Sequence, residues 1–285
     1  MRVVSIAGVL FGAAALAQTP ARPAFEAAAI HLHPNCTEQG GGRGNLSVGR
    51  LDLPCVSIRS LIRAAYGMFD PDGKMLARPI DVAGGPGWLD SDRYDLDAKA
   101  EGAASVDQTV GRMLQTFLED RCKLKVHREA RETPVYALTV AKGGAKLKES
   151  VPDSCKPLDL SHPPADPQEA PCGFPMMHGK NGNIVADGRG MTMAEFAARL
   201  LTRVDRPVVD KTGLTGRYDI HLEYSMINSG PVSLNGGEGA VALPPDSGGA
   251  SIFSAVQSQL GLRLVSDKAP IDVIVVDSVE RPSEN

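Results

Sequence analysis

Val56–Gly67 reads VSIRSLIRAAYG, and Met191–Val204 reads MTMAEFAARLLTRV. In the first stretch Ser57 stands where an N-cap belongs, and Ile58, Leu61, Ile62, Ala65 and Tyr66 fall on one face of a helix. In the second, Thr192 caps and Glu195 completes a capping box. Met193, Phe196, Ala197, Leu200 and Leu201 take the same helical positions. Two helices written on one plan within one chain predict an architecture built twice.

The agreement extends on both sides. Arg78-Pro79-Ile80 has a counterpart in Arg206-Pro207-Val208, and Arg93-Tyr94-Asp95-Leu96 recurs as Arg217-Tyr218-Asp219-Ile220. A second helix follows in each copy. Ser105 and Gln108 form a capping box ahead of Val110, Met113, Leu114, Phe117 and Leu118; Ser251 caps Ile252, Val256 and Leu260. Each copy closes on two alternating strands, CKLKVHR with PVYALTVAK and LRLVSD with IDVIVVDSV. FEAAAIHLHP, from Phe25, adds an opening strand. The expected fold is therefore α+β, in two related halves. Each half runs strand-helix-strand-strand-helix-strand-strand, with helices packed on mixed or antiparallel sheets. The boundaries read as 24–150 for the first half, a proline-rich linker at 151–180, and 181–285 for the second. A flexible insert at 228–250 interrupts the second half.

With 42% hydrophobic residues in 285, the chain can bury a real core, and its net charge of −4 is mild. A nucleic-acid partner needs clustered Lys and Arg, which are missing here. Residues 1–17, MRVVSIAGVLFGAAALA, carry one basic residue, then an apolar run ending in Ala15-Leu16-Ala17. That is the form of a signal peptide cleaved before Gln18. The run is short for a membrane span, and no other stretch approaches one. The expected product is periplasmic or secreted, without a transmembrane segment after cleavage.

Export makes disulfides possible. Of five cysteines, Cys155 and Cys172 share one proline-rich loop and form the expected pair, with Cys36 and Cys55 as a second. Cys122, in CKLKV, alternates with Leu124 and Val126 and reads as a buried strand residue. No CxxC spacing points to zinc.

Several stretches look chemical. Asp210-Lys211-Thr212-Gly213 begins like the phosphorylated-aspartate motif of cation pumps, but Leu214 follows where that motif has Thr. Lys211-Thr212-Gly213 matches a β-lactamase motif, yet no Ser-x-x-Lys nucleophile exists in the chain. Asp90, Asp92, Asp95 and Asp97 lack the glycine and closing glutamate of a calcium loop. Their alternation with Tyr94, Leu96 and Ala98 suits the wet face of a strand. His31 and His33 share a strand face but make only two ligands, and the remaining histidines are scattered. No GxSxG elbow is present. Catalytic residues, metal ligands and cofactors are accordingly expected to be none. The candidate binding residues are Trp88 and Arg93 at one turn, and Leu214, Arg217 and Tyr218 at its counterpart. Trp88 serves either as an anchor for a partner or as a lid on the core. The leading expectation is a non-enzymatic module binding an envelope protein or a small ligand. The alternative is an exported hydrolase with its site between the halves.

The stretches FEAAAIHLHP, VSIRSLIRAAYG, GGPGWLDSDRYDLDAKA, FLEDRCKLKVHREARETPVYALTVAKGGAKL, RPVVDKTGLTGRYDIHLEY, QLGLRLVSDKAPIDVIVVD and ERPSEN, in this order, resemble a known family. It is a soil-associated exported bacterial family of unknown function, of the Solibacter type, and the similarity spans nearly all of the mature chain. The resemblance implies an exported α+β domain, sometimes attached to membrane sensor-peptidase proteins, and brings no reaction, ligand or catalytic residue. Where this chain has Cys122, that family usually carries a large apolar residue such as Phe, which implies a core role for the thiol.

Overall fold

A computed structural model describes residues 22–36, 45–70, 72–160, 171–200, 204–225 and 250–283. The expected signal peptide and nearly all of the expected insert at 228–250 lie outside the described residues. In chain order come β1 (Ala27–Leu32), β2 (Asn45–Ser47), β3 (Arg50–Ser57), α1 (Ile58–Gly67), β4 (Asp81–Gly84), the one-turn α2 (Trp88–Ser91) and β5 (Arg93–Lys99). A π-helical segment, Gln108–Met113, then runs into α3 (Leu114–Cys122) and β6 (Lys125–Val140). After these come β7 (Lys148–Glu149), β8 (Pro175–Lys180), β9 (Asn183–Met191), α4 (Met193–Leu200), β10 (Val208–Asp210), β11 (Tyr218–Ser225), α5 (Ile252–Leu260) and β12 (Leu262–Ser278). The fold is α+β, as its pattern of helix and strand signals requires.

Among the described residues three four-stranded sheets result, ordered β1-β5-β3-β2, β7-β11-β9-β8 and β10-β6-β12-β4. The first two are antiparallel and match strand for strand: β5 lies between β1 and β3, and β11 between β7 and β9. In the third, β6 and β12 form a long antiparallel ladder from Leu262↔Val140 to Ser278↔Lys125. The short β10 joins the end of β6 in parallel, and β4 joins the end of β12 in parallel.

The caps form as their sequences dictate. Ser57 accepts from the Ser60 amide at 3.2 Å, Thr192 and Glu195 exchange bonds at 2.9 and 3.2 Å, and Ser251 accepts from Ser254 at 3.2 Å. Each such cap stabilises its helix by about 1 kcal/mol. The second helices end alike, at Lys123 (φ 49°) after α3 and at Gly261 (φ 64°) after α5. A residue in the left-handed region reverses the chain there, delivering it into β6 and β12.

Two hydrophobic cores follow. The first gathers Ile58, Leu61, Ile62, Leu89, Leu96, Leu114 and Leu118, and it also takes Ile274 and Val276 from the far end of β12. The second gathers Met193, Phe196, Ile220, Leu222, Ile252 and Val256, together with Leu138 from β6. Burying each such side chain contributes roughly 1.5–3 kcal/mol. The second core is drawn wholly from residues between Tyr136 and Leu264, so it forms a continuous lobe. The first lobe is closed by the C-terminal strand.

Three details differ from the sequence reading. CKLKVHR and PVYALTVAK are not two strands, nor are LRLVSD and IDVIVVDSV; each pair lies in one uninterrupted ladder strand. The expected breaks fall at Pro134 and beside Pro270. Proline is tolerated there because, among the described residues, the outer edges are unpaired, β10 beginning at Tyr136 on β6 and β4 at Val273 on β12. Cys122 is the last residue of α3 rather than a strand residue, its helix extending further than the alternation suggests. Finally, Arg206-Pro207 leads directly into β10, whereas Arg78-Pro79 ends before β4 begins.

Candidate functional site

The repeated Arg-Tyr-Asp is explained by one backbone feature present in both lobes. On β3, the pairing with β5 shifts register between Leu53↔Leu96 and Val56↔Tyr94; on β9, the pairing with β11 shifts between Gly188↔Ile220 and Met191↔Tyr218. Both shifts are β-bulges lying just before a helix cap. Within them Cys55 and Gly190 each have φ of 57°. The bulge frees a backbone N–H, and the aspartate of the motif accepts it: Cys55 N donates to Asp95 Oδ1 at 2.8 Å, and Gly190 N to Asp219 Oδ1 at 3.3 Å. The Cys55 amide, acting most strongly, holds the Asp95 carboxyl below its usual range, with His33 adding to the effect against partial burial.

Each bulge also carries a disulfide. Cys55 is bonded to Cys36, and Cys155 is bonded to Cys172 so close to Gly190 that a Cβ on that glycine would lie 2.9 Å from Cys155 Sγ. Ser150 completes the second corner, donating to Asp219 and accepting from Gly190 N at 2.9 Å.

The five residues singled out from sequence are divided between the lobes. Trp88 is half-buried against the first core, with the Arg281 guanidinium 5.0 Å from its ring centroid. Arg93 is half-buried on β5. In the second lobe Leu214 packs partly on the core and Tyr218 is buried, only 8% exposed. Arg217 is the most open of the five, donating to the Gly190 carbonyl and lying 3.6 Å from Glu195. The neighbouring Asp210-Lys211-Thr212-Gly213 is a self-bonded turn. Asp210 Oδ1 accepts from Thr212 N and Oγ1 at 2.9 and 2.8 Å, Thr212 Oγ1 accepts from Leu214 N, and Lys211 pairs with Asp267 at 2.7 Å. Its polar groups are engaged in holding the chain in place.

Three histidines face aspartates across neighbouring strands: His33–Asp95 at 2.9 Å, His127–Asp277 at 2.8 Å and His221–Asp187 at 2.7 Å, all on exposed faces. Among the described residues, no group of three or more His, Cys, Asp or Glu side chains could hold a metal ion. Cys122 is fully buried in the first core, and that burial pushes its thiol up to about 12. We expect the native protein to resist a thiol reagent at about pH 8, where a free cysteine reacts readily, and to be labelled once unfolded. Labelling of the native state at the unfolded rate would show that the thiol is accessible.

The geometry brings together a set of residues that the sequence did not flag. A cleft of about 790 Å³ opens in the first lobe between the end of α1, the turn after it and the π-helical segment. Phe69 and Ala65 supply apolar wall; Asp72, Asp107, Arg112 and Arg128 supply charge at its margin. The turn is fixed by Asp70, whose Oδ1 accepts from Asp72 N at 3.0 Å and Lys74 N at 2.8 Å. Gly73 (φ 81°) lets the chain pass Asp107, for a Cβ there would sit 2.8 Å from the carboxylate. Gln115 and Arg128 pin the end of α1 by donating to the Ala65 and Tyr66 carbonyls at 2.6 and 2.9 Å. The π-helical turn presents Gly111, which leaves the wall open: a Cβ there would meet only Phe69, at 3.9 Å. No local sequence signal distinguishes a π-helical turn from the α-helix expected there.

Among the described residues, no helix is long and apolar enough to cross a membrane. Comparison with curated proteins and with solved structures finds no match. A protein family described as "Protein of unknown function (DUF3738)" matches residues 59–279, taking in nearly all of α1, the strands β5, β9 and β11, the π-helical segment and all of β12. The chain belongs to this DUF3738 family of proteins of unknown function.

Proposed function

We propose that the chain is an exported, non-catalytic binding module, formed by internal duplication, that takes a small polar ligand into the cleft beside the π-helical turn. The two disulfides suit an oxidising compartment. The matched bulges, caps and sheet orders support the duplication. The observation that carries the binding reading is where the lobes differ. In the first lobe the connection from α1 to β4 is longer than that from α4 to β10, and the residues Val106–Met113 lengthen the helix ahead of α3, whereas α5 starts directly at its cap Ser251. These two additions are what build the cleft. A scaffold needs neither, and the volume falls within the range of small-molecule pockets.

A hydrolytic reading needs a nucleophile within reach of a base. The histidine ring contacts described above are to carboxylates, and the Cys122 thiol is held neutral by burial. These facts favour binding. Thermal-shift screening of the purified protein against a panel of small polar compounds tests the proposal. We expect at least one compound to raise the wild-type Tm and to lose its effect in Gly111→Trp and in Ala103→Trp, a rim variant that disturbs no core position. A shift of equal size in both folded variants would place binding elsewhere.

A further inference from the structure

We propose that the two lobes hinge on the two-stranded centre of the β6–β12 ladder and that the segment Cys155–Leu160 straps them together. This inference does not depend on what the cleft binds. Where the ladder enters each lobe it is covered: Leu138 and Leu262 lie in the second core, and Leu124, Ile274 and Val276 in the first. Between these points the cover is confined to one face. On one face Ala130, Glu132 and Pro134 and their partners Asp272, Pro270 and Lys268 are all exposed, so that face meets water; on the other Glu129 and Arg131 are exposed, Thr133 and Ile271 half-buried, and Ala269 is 7% exposed. Among the described residues, adjacent strands flank it only outside this stretch, β10 from Tyr136 and β4 from Val273. A two-stranded ribbon with one face open to water and no third strand beside it resists bending and twisting weakly, and isolated pairs of strands are marginal in water. The ion pairs Arg59–Asp90 and Arg281–Asp92 lie within the first lobe, and Lys211–Asp267 and Arg206–Asp205 within the second.

The segment Cys155–Leu160 bridges the gap. Cys155 and Cys172 sit on the second lobe, where Cys172 bridges to Arg189 beside the Gly190 bulge and its amide donates to Lys156 O at 2.8 Å. From that anchor the chain reaches Leu160, whose half-buried side chain packs on the first core. An apolar side chain delivered by one lobe onto the core of the other restrains their relative motion, and the disulfide limits how far the segment can slacken.

Pulsed electron resonance between nitroxides at Asp52→Cys on β3 and Gln257→Cys on α5, both exposed positions, reads the inter-lobe distance in the full chain. Leu160→Asp keeps the disulfide and removes the contact; Cys155→Ala/Cys172→Ala releases the anchor. The expected result is a single narrow distance distribution for wild type and a broadened one in both variants, with the far-ultraviolet spectrum retained. Should the double-alanine chain fail to fold, Leu160→Asp decides alone. A distribution as narrow as wild type in folded Leu160→Asp, or a broad one in wild type itself, overturns the strap.

Discussion

Ile274→Ala is expected to lower the stability of the first lobe by about 2–5 kcal/mol, although the residue lies near the C-terminal end of the chain, far from that lobe's helices in sequence. Ile274 is 1% exposed; β12 carries it between Val82 on β4 and Arg128 on β6 and presses it against the end of α1 at Gly67. Removing three carbons leaves a cavity that the surrounding sheet cannot close. Leu138→Ala is the reciprocal change, on the strand nearest the first lobe in sequence but inside the second core. Hydrogen exchange separates the two effects. In Ile274→Ala, α1 and α3 lose protection ahead of α4 and α5, and in Leu138→Ala the order reverses. If each substitution instead weakened the helices nearest to it in sequence, the crossing of the strands between lobes would be wrong.

The second large effect concerns the Cys36–Cys55 disulfide. The bridged residues are 19 apart in sequence, and closing a loop of that size is worth about 3 kcal/mol. Cys36→Ala/Cys55→Ala should lose that stabilisation and keep the strain of a side chain at φ 57°, a conformation that disfavours residues with a Cβ by about 1–2 kcal/mol. Cys36→Ala/Cys55→Gly loses the bridge but relieves the strain, and should therefore be about 1 kcal/mol more stable than the double alanine. The second lobe already uses glycine at this point, in Gly190. Urea unfolding of the three proteins measures both differences. Equal stabilities for the alanine and glycine forms would mean that the bulge relaxes once the bridge is gone.

Much of the scaffold was legible because its signals are local. Ser57, Thr192 and Ser251 announce helix starts, and alternating burial at Tyr218, Ile220, Leu222 and Tyr224 follows the strand pattern of the sequence. The Cys155–Cys172 bridge was readable from the proline-rich loop the two share once an oxidising compartment was assumed, whereas Cys36–Cys55 was open as a second pair until the bulge brought the two together. The β8–β9 hairpin also had a readable signal: Asn181-Gly182, with φ of 51° and 81°, is a standard two-residue turn for strands. Other features depend on contacts distant in sequence. Pro134 and Pro270 look like strand ends until it is known that no neighbour needs their missing N–H. The bulges at Cys55 and Gly190 share no residue type, so only the ladders reveal them. The cleft is the extreme case. Ala65 on α1, Phe69 in the turn after it, and Gly111 and Arg112 on the π-helical segment converge through the packing of α1 on that segment and on α3, and nothing in the spacing of the chain brings them side by side.

The functional proposal comes down to whether the cleft holds a molecule without altering it. Native mass spectrometry of the purified protein after incubation with a small-molecule extract of bacterial envelopes addresses this in one measurement. The account predicts one small polar adduct per chain, unchanged in mass over time and absent in Gly111→Trp. An adduct that persists in folded Gly111→Trp, or extract components cleaved in proportion to the wild-type protein added, would contradict it.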